Sequence, residues 1–579
     1  MNPLNSVFYV VLRRLRWPLI TLIVVYSISI LGFVLIPGQD DQGQPWRMGF
    51  FHAFYFVSFM GSTIGFGEIP YAFTDGQRFW ATFTIYGTVI AWLYGIGTML
   101  TVLQDPGFLR LLKRQRFRRA VAAIQEPFYL VCGYGTTGQL LVSKLTQRGI
   151  QAVVVDANLS PIQTLETDTL PMPVPGLCEN AAEPEVLQDA GLLHPHCIGV
   201  LALTDDDEIN LAIAIASKLL APEVVVISRA ESRSISDNLA SFGTEHIVDP
   251  FESFAEYLAM ALQAPYKHLV YDWLVNPRHR SALAMTRPTQ GTWVICGYGR
   301  FGQALHRHLQ AMDVDMVVVD EDSAKFGQTD NMILGLGTEA VTLQEAGADY
   351  AVGIVAGTAS DANNLSIILT ARQLNAKLIT VARQNQTANS MVFKAAKTDY
   401  VMEPSRIIAN KIMLLIKTPL LVEFLQQLEG RDDVWAHTLV NRMRETVGDN
   451  ELESWSLTVT EEESPALWLA LQEGQEVKLN LFYKDPRDRS KTLRAFPLML
   501  KRGNTYKLLP GELTLLQEGD QLLFCGQLQV ANLMQWTACN YNVLRYVRDG
   551  YEGASGYVWR WVAHHWAQRK TNNMTQPKG

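Results

Sequence analysis

Two runs of the sequence stay free of charge over the thickness of a lipid bilayer, and they restrict everything around them. Trp17 to Ile36 and Phe79 to Leu103 are apolar and uncharged, and about twenty such residues in a helix cross a hydrocarbon core. In lipid each backbone N–H and C=O must find its partner within the chain, so both runs are confined to helix. The first lacks the short apolar core and small-x-small site of a cleaved leader. Arg13, Arg14 and Arg16 precede the first run, and Arg110, Lys113, Arg114, Arg116, Arg118 and Arg119 follow the second. The connection carries only Arg47 and Arg78. An excess of Lys and Arg marks the cytoplasmic side, so both termini are expected in the cytoplasm of a multi-pass cell (inner) membrane protein.

The connection holds an apolar stretch of its own, Met48 to Met60, too short to span but suited to a re-entrant helix. It runs into Gly61-Ser62-Thr63-Ile64-Gly65-Phe66-Gly67-Glu68. Non-helical backbone at membrane depth is tolerated only where protein buries it or where it lines a water-filled path. Alternating glycines let successive carbonyls point the same way. A column of such carbonyls around a fourfold axis replaces an ion's hydration shell.

This segment resembles the potassium-channel signature Thr-Val-Gly-Tyr-Gly-Asp, placed between two helices as that family places it. The resemblance implies a selectivity filter of Thr63, Ile64, Gly65, Phe66, Gly67 and Glu68. Potassium, the permeant ion, would be coordinated by the carbonyls of Thr63, Ile64, Gly65 and Phe66 and by the Thr63 hydroxyl. Phe66 stands where the family usually has Tyr, which removes a hydroxyl that anchors the filter. Glu68 stands for Asp, which shifts a carboxylate at the outer mouth. Both departures leave open a non-selective pore that passes sodium as well. Gly87, Gly95 and Gly97 along the second run fit either a gating hinge or close helix packing. Asp105-Pro106-Gly107 ends that run, because a residue before proline leaves the helical region.

From Phe128 the pattern changes to apolar runs alternating with helical stretches. Phe128 to Gly138 is a buried strand followed by Gly-x-Gly-x-x-Gly, and Ala152-Val-Val-Val-Asp156 ends in an acid 23 residues after Gly133. That is the strand, turn, helix, strand, acid order of a dinucleotide-binding unit. Gly133 makes the tight turn, Gly135 admits a diphosphate, and Gly138 lets the helix pack on the strand. Asp156 suits a ribose diol and opposes a 2′-phosphate, which favours NAD or an adenine nucleotide over NADP. The unit recurs at Trp293 to Gly302 and Met316-Val-Val-Val-Asp320. Gly133 to Gly297 and Asp156 to Asp320 share an offset of 164. The Thr204 to Leu211 segment matches Thr358 to Leu365, Arg229 matches Arg383 and Pro250 matches Pro404, all at an offset of 154. A deletion of ten residues in the second copy, within a tandem duplication, accounts for the difference.

A two-span pore joined to such a pair resembles prokaryotic potassium channels with tandem RCK, or TrkA-N and TrkA-C, domains. The resemblance implies a homotetramer with a cytoplasmic gating ring. It places the regulatory ligand, NAD(H) or an adenine nucleotide, at Gly133, Gly135, Gly138, Asp156, Asp207, Asn210 and Arg229. In the second copy it implies Gly297, Gly299, Gly302, Asp320, Asp361, Asn364 and Arg383. The expected architecture is a membrane α-helical pore, two spans plus a re-entrant helix and filter, fused to α/β Rossmann-like domains and a small α+β lobe. Its expected divisions are an N-terminus over 1–16, a pore over 17–105, a linker over 106–126 and RCK domains over 127–285 and 290–448. A TrkA-C-like lobe over 450–530 and a tail over 531–579 complete it.

Pro250 to Asn276 and Ser405 to Leu428 are expected to form helices. The net charge of −8 argues against general nucleic-acid binding. The six cysteines form no Cys-x-x-Cys pair, and Cys132 and Cys296 sit in strand-like runs as buried thiols. His194, His196 and His268 stand apart and suit surface or capping positions. No acid–base constellation follows either nucleotide fold, so no enzyme is expected. Hydride transfer would revive a membrane-tethered NAD-dependent oxidoreductase, and a non-binding gating subunit of an uptake transporter would need no filter.

Overall fold

The computed structural model describes residues 3–65, 71–275, 291–322, 324, 331–448 and 451–550, with side chains from residue 13 onward. The chain divides into two compact units. One comprises 1–127, 153–162 and 174–197, and the other 128–152, 163–173 and the residues from 198 on.

In the first unit, α1 (Pro3–Leu35) and α3 (Asp75–Gln104) contain the two charge-free runs, and both are long and apolar enough to cross a membrane. The short apolar stretch forms α2 (Phe50–Gly61). Phe33, Phe56, Val57, Phe59 and Ala81 bury one another where the three helices meet. Indole donors are satisfied inside this bundle: Trp80 Nε1–H donates to the Ser29 carbonyl at 3.0 Å and Trp92 Nε1–H to the Tyr26 hydroxyl at 2.8 Å. Ile23, Ile28, Leu31, Phe79, Phe83, Ile90 and Leu93 remain exposed, an apolar coat that calls for lipid or further copies of the chain.

α3 starts from a capping box between Thr74 and Gln77. It stops at Asp105, whose ψ of 118° leaves the helical region before Pro106. The same carboxylate accepts from Phe108 N–H at 3.0 Å, capping α4 (Pro106–Ala122), and forms an ion pair with Arg14 of α1. The expected linker is therefore a helix of its own.

The first nucleotide-type copy contributes β1 (Phe128–Cys132), α5 (Thr136–Thr146), β2 (Gln151–Asp156), β3 (Gly176–Cys178), α6 (Pro184–Asp189), β4 (Cys197–Ala202), α7 (Asp207–Leu220), β5 (Val225–Arg229) and β6 (His246–Val248). In the first unit β2 and β3 pair parallel, with Asp156 opposite Cys178. In the second, β4, β5 and β6 pair parallel in turn. The helices expected after this copy are α8 (Pro250–Gln263) and α9 (Pro265–Val275).

The second copy lies wholly in the second unit: β7 (Trp293–Cys296), α10 (Arg300–Gln310), β8 (Met316–Asp320), β9 (Met332–Leu334), β10 (Gly353–Ala356), α11 (Asp361–Leu374), β11 (Ile379–Arg383) and β12 (Tyr400–Met402). Its six parallel strands run in the order β9-β8-β7-β10-β11-β12. Order reverses between β8 and β10 around β7, the switch point at which open α/β sheets bind ligands. Both faces are covered, one by a cluster holding Phe251, Phe254 and Phe301 and the other by one holding Ile367, Ile368 and Phe393. That explains why its strands are almost uninterrupted apolar runs.

α12 (Pro404–Lys417), α13 (Pro419–Glu429) and α14 (Asp433–Val447) lead to a four-stranded antiparallel sheet. Its strands β13 (Leu452–Thr458), β14 (Ala495–Arg502), β15 (Thr505–Leu508) and β16 (Gln521–Gln527) are ordered β13-β16-β14-β15. This lobe does not end near residue 530. Val530, Met534 and Ala538 of α15 (Val530–Cys539) and Leu544 and Val547 of α16 (Tyr541–Asp549) are buried in its core. The three tryptophans farther along the tail lie outside the described residues. Another difference concerns His268, which is buried against the Tyr257 ring at 4.4 Å rather than at the surface. Burial lowers its pKa to about 4, so it is neutral.

Candidate functional site

The segment expected to form a filter begins where α2 ends. Thr63 and Gly65 both adopt left-handed backbone, φ 61° and 65°, on either side of Ile64. Thr63 N–H donates to the Met60 carbonyl and Ile64 N–H to that of Phe59, at 3.1 and 3.0 Å. A left-handed threonine is costly by roughly 1–2 kcal/mol, a strain that marks functional loops more often than spacers. Phe66, Gly67 and Glu68 lie outside the described residues.

Each glycine of the two nucleotide turns has a separate reason to be glycine. Gly133 and Gly297 have φ of 104° and 96°. A Cβ on either would press on the backbone of 203–204 or 357–358, at 2.9 and 3.1 Å. A Cβ on Gly138 or Gly302 would stand 2.1 Å from the carbonyl oxygen of Gly133 or Gly297, so helix and turn meet only without side chains. Gly135 and Gly299 have open space around the corresponding position. They are also the N-caps of α5 and α10 and supply no side-chain cap. Space is therefore open beside each helix start, and a helix start is where unpaired N–H groups receive a phosphate.

Asp320 closes β8 and is buried. Its carboxylate accepts from Tyr298 N–H, between the two glycines, and from Asp322 N–H at 2.9 Å. Acid and turn are thus held as one piece in the second copy. In the first, Asp156 is likewise buried at the end of β2 and accepts from Asn158 N–H at 2.8 Å.

The Thr-x-x-Asp-x-x-Asn residues are engaged inside each copy. Asn210 is fully buried, with its amide engaged on both sides: Thr204 N–H and hydroxyl donate to it, and it donates to the carbonyls of Thr204 and Arg229. Asn364 repeats the pattern with Thr358 and Arg383. Four bonds fill an amide side chain, so these asparagines tie the end of β4 to β5 and the end of β10 to β11. Asp207 accepts from the N–H groups of Glu231 and Ser232, and Asp361 from Asn385, Gln386 and Asn389. Burial pushes the Asp361 carboxyl up, but the hydrogen bonds from Asn385 and Asn389 outweigh it and hold it below the ordinary range. Spacing alone does not show which backbone donors a side chain will meet.

The arginines separate the copies. Arg229 is ion-paired with Asp205 and with Glu231, whose side chain is 7% exposed. Arg383 has no ion pair among the described residues, and its buried Nε lacks a hydrogen-bond partner. It packs over the Phe251 ring at 5.0 Å, with Arg300 over the same ring at 5.6 Å. Burial and the neighbouring Arg300 and Arg229 push its pKa down, while Glu231 and Asp361 act against the shift. Arg300, the first residue of α10, pairs with Glu231 at 2.5 Å. Arg300 and Glu231 were not among the sequence candidates; the pairing links positions 69 apart and has no local signature.

A nucleotide fits the second copy on these observations. It offers an open helix start at Gly299, an acid braced to the turn and an arginine with no ion pair among the described residues. Among the described residues no cluster of His, Cys, Asp and Glu could hold a metal ion.

Residues 129–250 and 293–404 match the family model of the TrkA-N domain. An uncharacterized protein of Methanothermus fervidus is 26% identical over 297 residues, 51% of this chain and 45% of that protein. Potassium channel protein 1 of Methanocaldococcus jannaschii is 23% identical over 241 residues, 41% of this chain and 67% of that protein. This chain therefore spans about half to two thirds of those relatives. Among solved structures, the GsuK channel bound to NAD is 17% identical with a TM-score of 0.45, covering 92% of this chain and 99% of that one.

Proposed function

We propose that this chain is the pore-forming subunit of a potassium channel regulated by a nucleotide. The observation that carries the reading is the short apolar helix between two membrane-length helices, ending in left-handed Thr63 and Gly65. Such a segment is tolerated at membrane depth only where protein buries it or where it lines a water-filled path, and its place between two membrane-length helices favours the second. The relative named as a potassium channel supports the choice of ion. Four copies would surround the path, with potassium on the carbonyls of Thr63, Ile64, Gly65 and Phe66 and both termini in the cytoplasm.

The ligand is NAD(H) or an adenine nucleotide, with its phosphates at Gly297 to Gly302 beside Arg300 and Arg383 and its ribose on Asp320. It gates the pore only to the extent that it binds open and closed rings with different affinity. The test is ion flux through the reconstituted full-length protein, potassium against sodium, with NAD+, NADH, ATP and ADP added in turn. Potassium flux well above sodium flux, changed by one of the four and insensitive to it in Asp320→Ala, is the expected result. Equal fluxes would leave the non-selective pore, and a flux that ignores all four would end the regulatory reading.

A further inference from the structure

The linker helix α4 is held at a fixed angle about its own axis. It packs on β3 and α6 of the first copy. Arg114 pairs with Asp189 and, at 3.9 Å, with Glu185, while Arg118 reaches Asp189 at 3.2 Å. Phe117 and Val121 are buried on the same side. With about 3.6 residues per turn, Arg110 falls on this side one turn before Arg114, with Lys113 on its flank, whereas Arg116 and Arg119 point away.

The strand under α4 ends beside the predicted ribose acid, since Cys178 of β3 lies opposite Asp156 of β2. The charges of Lys113 and Arg110 reach the Cys178 thiol there, alongside those of Glu179 and Asp156; burial, then the two acids, push that thiol up, and the two cations draw it down. Arg110 and Lys113 are exposed and make no ion pair among the described residues. They are two exposed cations with no ion pair among the described residues, set on the helix that follows α3.

We propose that Arg110 and Lys113 are ligand contacts of the first-copy site, forming one wall of the pocket for an adenine nucleotide whose ribose is held by Asp156. A guanidinium stacks on an adenine face and both cations attract a phosphate-bearing ligand. The helix joined to the pore then touches the ligand directly. This rests on the nucleotide reading above, applied to the first copy.

Cys178 offers a local readout, being partly exposed and beside Asp156. Full-length protein in detergent is titrated with ADP and with NAD+, and alkylation of Cys178 by a maleimide is followed by peptide mass spectrometry. The expected result is protection whose midpoint rises about fivefold in R110A/K113A, the sum of two modest exposed contacts. R116A/R119A, on the opposite face of the same helix, should leave the midpoint unchanged. Higher salt should weaken protection in the wild type more than in R110A/K113A. A midpoint unchanged in R110A/K113A but raised in Asp156→Ala would overturn this inference alone. Absence of protection by either nucleotide in the wild type would overturn it together with any first-copy nucleotide site.

Discussion

The two copies build the same glycine turn and surround it with different charge. Where the first has Thr136, Asp205 and Glu231, the second has Arg300, Ala359 and Asn385 at the matching positions. In the first copy, two carboxylates neutralise Arg229. In the second, both acids are gone, Arg383 has no ion pair among the described residues, and a further arginine opens the helix. Desolvating a guanidinium without a partner is unfavourable, and a bound phosphate would relieve that cost. Duplication kept the scaffold and divided the electrostatics. The second copy leaves a buried guanidinium nitrogen without a hydrogen-bond partner, and the first holds its own internal counter-ions. Arg300 pairs with Glu231 at the same time, so the acid that neutralises one copy also restrains a cation of the other.

This contrast can be broken or sharpened by substitution. Scaffold changes should be largest and equal in the two copies. Gly302→Ala and Gly138→Ala each drive a Cβ to 2.1 Å from a carbonyl oxygen. Each should cost about 3 kcal/mol in thermal or denaturant unfolding, as overpacking against backbone does. Unequal losses would show that the turns are not equivalent. Asn364→Ala and Asn210→Ala should follow at about 2–3 kcal/mol, since each strands several buried groups. A change confined to nucleotide affinity, with unfolding unaltered, would restore a ligand-contact role.

Affinity changes should then differ between copies. Arg383→Ala should weaken ADP binding by calorimetry about thirtyfold, near 2 kcal/mol for a charged hydrogen-bonding partner. Arg229→Ala should leave binding almost intact while destabilising the fold, because Asp205 loses its cation and Glu231 keeps only Arg300. The smallest effect is expected from moving the charges. A359D/N385E in the second copy should lower affinity about fivefold, on the order of 1 kcal/mol for partly exposed pairs. No change would mean that Arg383 is unpaired for reasons unrelated to ligand.

Much of this was visible in the sequence because the determinants are local. A strand, a glycine turn and an acid lie within 23 residues of Gly133, and charge-free runs announce membrane helices. Asn210, Asn364, Asp207 and Asp361 came from the family resemblance, and the donors that engage them appear only after folding. Arg300 and Glu231 meet only in three dimensions. The extension of the C-terminal lobe was available in principle, since Val530, Met534 and Ala538 follow one another at four-residue intervals.

The linker helix has 17 residues, which at 1.5 Å each makes a rod about 25 Å long. Asp105, capping one end and paired with Arg14, is its bearing, and Asp189, gripping Arg114 and Arg118, is its handle. For a rod of that length a tilt of about 10° carries one end some 4 Å sideways while the bearing barely moves. A small change of angle at the Asp189 end is thereby turned into torque on the foot of α3.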